Sequence, residues 1–179
     1  MVTLCASVRV GAQSTTQPAG EFPTEWFDNA VPEDRVEQMK LIGKPAPPFF
    51  LTEWRNGELS QSAMKGKVVM VDFWATWCAP CIAAFPANSA MYAKYKPAGL
   101  EMLGICTNSA QENFDRVLAS RKPTYPMARD VDQKSMEAWS AKAYPTYAVI
   151  DRKGVVRAIG LKHEYIEKVV EKLLAEPAP

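Results

Sequence analysis

Val68-Val69-Met70-Val71-Asp72-Phe73-Trp74-Ala75-Thr76-Trp77-Cys78-Ala79-Pro80-Cys81 reads as a buried strand that runs out of apolar residues and delivers two cysteines to the start of a helix. Two thiols spaced C-x-x-C across a first helical turn face each other and close a small, easily opened disulfide. The N-terminus of a helix favours negative charge, so the first thiol ionises more readily than a free cysteine. Those are the requirements of a dithiol redox centre. The strand is apolar on both faces, as a strand covered by helices on both sides should be, except at Asp72.

The rest of the composition narrows the alternatives. A length of 179 residues, 47% of them hydrophobic, suggests one domain with some extra length. A net charge of +1 provides no basic field and argues against nucleic acid as a partner. No apolar run approaches the length of about 20 residues that a membrane-spanning helix needs. Of the four cysteines, Cys5, Cys78, Cys81 and Cys106, only Cys78 and Cys81 share a motif spacing. A structural zinc site wants four ligands. Cys106 and the single histidine, His163, are the remaining candidates, and neither belongs to a second C-x-x-C or an H-x-x-x-H. Redox chemistry without a metal is therefore the expectation, with a metal-binding module as the chemical rival.

Around the central strand, the chain reads in order. Residues 1–42 form a leader and tether, and residues 43–179 form the folded domain. Val2 to Ala12 is mildly apolar and ends in a small-residue pattern that a signal peptidase can cut, although Arg9 interrupts it and no basic n-region precedes it. It reads as the remnant of an export signal, which favours a location outside the cytoplasm and leaves a cytoplasmic one open. Pro32 to Met39 can begin a short helix, and Trp26 and Phe27 are expected to pack on the main body. Asn56-Gly57 between Phe49-Thr52 and Glu58-Ser60 predicts a β-hairpin. After the cysteines, Ile82 to Lys96 predicts a helix with Pro86 inside it, and Leu100 to Cys106 a second buried strand. Asn108-Ser109 predicts the start of a helix carrying Phe114, Val117 and Leu118, and Asp132 to Ala141 predicts another short one. Tyr144 to Ile159 predicts an antiparallel hairpin turning at Gly154. Ile166, Val169, Val170, Leu173 and Leu174 form one apolar stripe on a final amphipathic helix, in whose first turn His163 falls. A parallel βαβ unit followed by an antiparallel hairpin and a helix gives an α/β fold, with a central mixed sheet flanked by helices.

Trp77-Cys78-Ala79-Pro80-Cys81 at a strand-to-helix junction, with Tyr144-Pro145-Thr146 before a later strand, resembles the thioredoxin superfamily. Gly43 to Phe49, Lys65-Gly66-Lys67, Phe73 to Cys78 and Ile150 to Gly154 resemble its exported TlpA/ResA-like branch. The likeness spans about residues 43–174, in the family's order and at sensible spacings.

The resemblance implies a thioredoxin-like fold with an N-terminal extension and hairpin, and thiol–disulfide exchange with protein disulfides. It makes Cys78 the attacking thiol and Cys81 the resolving one. Pro145 becomes a cis-proline beside the pair, flanked by Tyr144, with Trp77, Ala79 and Pro80 as contact surface for substrate. Asp72 matches a buried carboxylate beneath the cysteines, whose pKa burial should raise so that it relays a proton to or from Cys81. The branch often carries a Glu just before Phe-Pro in the following helix; here that position is Ala84, which leaves Asp72 as the acid–base group. No cofactor is implied. The partners implied are disulfide-containing protein substrates and a thiol-donor redox protein, typically membrane-embedded, with the protein acting as a reductant. A peroxiredoxin-like peroxidase is a further rival, but its cysteine normally follows a Thr three residues earlier, whereas Thr76 stands two before Cys78.

Overall fold

A computed structural model describes residues 21–28, 32–107 and 110–178. The proposed leader with its cleavage site, Cys5, and the helix start at Asn108-Ser109 lie outside the described residues. Six strands make one sheet: β1 (Thr52–Arg55), β2 (Val68–Trp74), β3 (Leu100–Cys106), β4 (Met127–Arg129), β5 (Thr146–Ile150) and β6 (Val156–Ile159). Their order across the sheet is β1-β4-β3-β2-β5-β6. β2, β3 and β4 run parallel, while β1, β5 and β6 are antiparallel to their neighbours. The helices are α1 (Pro32–Met39), α2 (Ala79–Tyr95), α3 (Gln111–Arg121), α4 (Lys134–Ala138) and α5 (His163–Ala175). The fold is thioredoxin-like, with β2 at the centre and every one of its residues buried.

Alternation along β2 divides the core. Val68, Met70 and Trp74 pack with Phe85, Met91 and Tyr92 of α2, Phe114 and Leu118 of α3, and the Ile166-Val169-Val170-Leu173 stripe of α5. Val69, Val71 and Phe73 pack with Leu103, Ile105, Ala148, Ile150 and Trp139 on the other face. Each face is closed in a different way: long helices cover the first, and a short helix with an irregular N-terminal segment covers the second.

The N-terminal region meets expectation at one point and departs from it at another. The first is the segment around Trp26 and Phe27, which packs on the main body as expected. Phe22 and Phe27 belong to the main core, and Trp26 stacks on Tyr165 with ring centroids 5.1 Å apart. Backbone bonds from Asp28 N to Gly160 O and from Lys162 N to Trp26 O fix this segment beside β6. α1 is held by Arg35 donating to Ile159 O at 2.6 Å and Gln38 donating to Ser140 O at 3.0 Å. Burying two phenylalanine rings is worth about 1.5–3 kcal/mol each, which holds residues 21–28 against the folded body.

The second is the hairpin at Asn56-Gly57, which does not form. β1 pairs instead with β4, across the sheet edge. Asn56 does adopt a positive φ of 61°, but its side-chain amide spans away from the local turn and donates to Pro123 O at 2.7 Å and Tyr125 O at 3.1 Å. The turn signal was real; its partner strand lies about 70 residues downstream and is only three residues long.

Candidate active site

β2 ends at Trp74, and the chain turns through Ala75-Thr76-Trp77 to place Cys78 as the N-cap of α2. Ala79 and Pro80 open the helix, where proline's fixed φ and missing N–H carry no penalty. Cys78 and Cys81 are joined as a disulfide, their Cα atoms 5.4 Å apart. The backbone N–H of Cys81 donates to Cys78 Sγ at 3.3 Å. That donor and the helix N-terminus both favour a thiolate on Cys78 once the pair is reduced. Cys78 retains 4% of its surface and Cys81 none, so Cys78 is the cysteine nearer solvent.

The surface around the pair is exposed and aromatic. Trp77 is 71% exposed, an unusual state for so large an apolar side chain, and meets Tyr144 edge-on with centroids 5.6 Å apart. Ala79 and Pro80 are exposed, and Tyr144 and Pro145 are part-buried. The Tyr144–Pro145 peptide bond is cis. A cleft of about 500 Å³ beside Trp77 and Tyr144 is lined also by Thr107, Gln133, Met136, Glu137 and Lys142. Trp74, by contrast, is fully buried, packed edge-on to Phe85 at 5.0 Å.

Asp72 lies on the α2/α5 side of β2 and is completely buried. Asn88 Nδ2 and the Tyr125 hydroxyl both donate to its Oδ2, each at 3.1 Å. Among the described residues Oδ1 has no hydrogen-bond partner, which leaves it as the oxygen available to a proton. Burial pushes the Asp72 carboxyl up to about 7, against the opposing pull of the Tyr125 and Asn88 hydrogen bonds. Burial and the adjacent Asp72 charge likewise raise Tyr125.

Sequence reasoning singled out Cys78, Cys81 and Asp72, but not the residues that hold Asp72. Asn88 lies two turns along the same buried stripe of α2 as Cys81 and Phe85, a helical spacing visible in the sequence. Tyr125 arrives from the loop before β4. Gly104 lies opposite Asp72 in the β2/β3 register, where a Cβ would stand 2.1 Å from Met127 Sδ and 3.2 Å from Tyr125 Cε2. The missing side chain leaves room chiefly for Met127, with Tyr125 packed closely beside it. Among the described residues, no group of three or more His, Cys, Asp or Glu side chains is placed to hold a metal ion.

A two-cysteine disulfide at a helix N-terminus on a thioredoxin-like sheet defines a thiol–disulfide oxidoreductase working through Cys78 and Cys81. Comparison with known proteins agrees. The model of the AhpC/TSA family matches residues 42–159. The thiol-disulfide oxidoreductase ResA of Bacillus anthracis is 32% identical over 138 residues, covering 75% of this chain and 70% of that protein. ResA of Geobacillus kaustophilus is 30% identical over 135 residues, covering 74% and 78%. Among solved structures, a Chlorobium tepidum protein described as a thiol:disulfide interchange protein DsbE superposes with a TM-score of 0.65 at 29% identity, covering 74% of this chain and 94% of that one. The chain belongs to the AhpC/TSA family and, within the thioredoxin superfamily, to its TlpA/ResA-like thiol–disulfide oxidoreductases.

Proposed function

We propose that the protein is a reductant of protein disulfides outside the cytoplasm, in which Cys78 attacks, Cys81 resolves and Asp72 manages the proton. The observation that carries this reading is the asymmetry of the pair. Cys78 is the cysteine nearer solvent and its sulfur takes the Cys81 N–H bond, whereas Cys81 is fully enclosed on the same buried stripe as Asn88, the donor to Asp72.

In the forward direction, the Cys78 thiolate attacks one sulfur of the substrate disulfide. That bond breaks, a mixed disulfide forms, and the leaving thiolate takes a proton. The Cys81 thiol then gives its proton to ionised Asp72 and attacks Cys78 Sγ. The second substrate thiolate leaves and is protonated, and Cys78–Cys81 is now the disulfide. Two electrons have passed to the substrate, and a dithiol protein must return them. We assign that donor to a membrane-embedded thiol protein, supported by the branch resemblance; among the described residues no helix of this chain is long and apolar enough to cross a membrane. Trp77, Ala79, Pro80, Tyr144 and Pro145 form the surface that receives an extended substrate segment. The same resemblance supports the location.

Trapping tests the roles. Cys81→Ser should accumulate disulfide-linked adducts on Cys78 in the cell envelope, and Cys78→Ser should abolish insulin reduction. Wild-type reductase activity in Cys78→Ser, with no adducts on Cys81→Ser, would overturn the assignment.

A further inference from the structure

His163 is the chain's single histidine, and the exchange chemistry leaves it without a part. It opens α5, remains exposed, and packs its ring against Tyr147 with centroids 5.6 Å apart. Its Nε2 lies 3.0 Å from Asn88 Oδ1, while Asn88 Nδ2 donates to Asp72 Oδ2. One amide therefore links a surface imidazole to the buried carboxylate. An ionised carboxylate only accepts, so the amide nitrogen must face Asp72 and the amide oxygen must face His163. The imidazole must then carry its proton on Nε2, a requirement met by the cation and by one neutral tautomer.

We propose that His163 is a positioning residue for the redox centre: by donating from Nε2 to Asn88 Oδ1 it locks the amide with Nδ2 on Asp72, and so governs how readily Asp72 takes up a proton. The inference rests on the proton role assigned to Asp72 above. Without the histidine, the Asn88 amide is free to turn, and the carboxylate loses one of its two donors. The remaining ionisable groups facing this network are Tyr125 before β4, Tyr147 on β5, and Cys81 on α2. On α5, Glu164 neighbours His163 and favours the imidazolium, while partial burial opposes it and holds the imidazole below its ordinary range. Tyr125 and Tyr147 also lie within hydrogen-bonding reach of Asn88, but the contact to its Oδ1 is made by His163.

The test follows the two colour-releasing steps when reduced protein meets excess dithiobis(nitrobenzoate), by stopped flow from pH 5 to 9. The second step reports resolution by Cys81. His163→Leu should move its pH midpoint up by about one unit, the effect of losing a hydrogen bond to a charged group. His163→Gln, whose amide N–H stands in for Nε2, should return the midpoint close to wild type. Asp72→Asn is the control for the underlying reading and should flatten the profile. If Asp72→Asn flattens it while His163→Leu tracks wild type, the positioning role is wrong and the Asp72 role stands. If Asp72→Asn leaves the profile intact, the Asp72 role itself fails. Nitrogen-15 spectra of the folded wild type provide a second test that does not depend on rate. Neutral His163 should hold its proton on Nε2, and a proton on Nδ1 would overturn the proposal.

Discussion

The two faces of β2 are equally buried and differently made. On one, Val69, Val71 and Phe73 pack with the apolar side chains of Leu103, Ile105, Ala148, Ile150 and Trp139. On the other, Asp72 sits between Met70 and Trp74 and gathers Asn88, Tyr125 and, through Asn88, His163. The apolar face only has to fill space. The Asp72 face holds a carboxyl whose ionisation burial opposes, close to the ordinary pH of a cell. One strand thus separates an apolar row from a buried polar cluster by alternation, and the cysteines follow from its end.

Disturbing the apolar face should give the larger loss of stability. Trp139 is fully buried against Phe49 and Phe73, and Trp139→Ala should cost about 3–5 kcal/mol in chemical denaturation. The folded fraction should keep the wild-type pH profile of thiol exchange, because the change lies across the sheet from Asp72.

The Asp72 face should respond to pH in the opposite sense. The folded carboxyl titrates near 7, and an unfolded one near 3.8, so the folded state binds more protons between those values. The stability associated with neutral Asp72 is fully present below about pH 4 and is lost as pH rises through 7. A shift of about three units corresponds to roughly 4 kcal/mol. Asp72→Asn should therefore gain stability relative to wild type, on that order, between pH 4 and 8, read from denaturant midpoints at each pH. A difference that stays constant with pH would show the carboxyl to be ordinary.

A smaller effect is expected at Gly104. Gly104→Ala places a methyl group 2.1 Å from Met127 Sδ and 3.2 Å from the Tyr125 ring. Relieving that overlap should cost about 1–3 kcal/mol, again by denaturation. Displacing the Tyr125 hydroxyl from Asp72 should also raise the pH midpoint of Cys81 resolution. An unchanged midpoint would mean Tyr125 does not tune the carboxyl.

The legible parts of the molecule were those written in local pattern. The seven-residue apolar run of β2, the helical stripes of α2 and α5, and the Tyr144 to Ile159 hairpin all carry their partners within short range or in strict periodicity. The family likeness added Cys78, Cys81, Pro145 and Asp72 as a set. What escaped were contacts set by tertiary approach. Asn56-Gly57 looked like a hairpin, but the Asn56 amide satisfies carbonyls at Pro123 and Tyr125. β4 is too short to announce itself. Tyr125 read as part of a helix-breaking Pro-Thr-Tyr-Pro segment, and His163 as one polar residue in a first helical turn. Neither has a local reason to join the cluster around Asp72, and only the packed sheet and helices bring them there.

The most direct measurement is the single-turnover rate of mixed-disulfide resolution by Cys81, compared between wild type and Asp72→Asn across pH. The wild-type rate should rise through a midpoint near 7, as Asp72 becomes able to accept the Cys81 proton, and the variant should lose that rise and run slower above it. Two superimposable profiles would contradict the account.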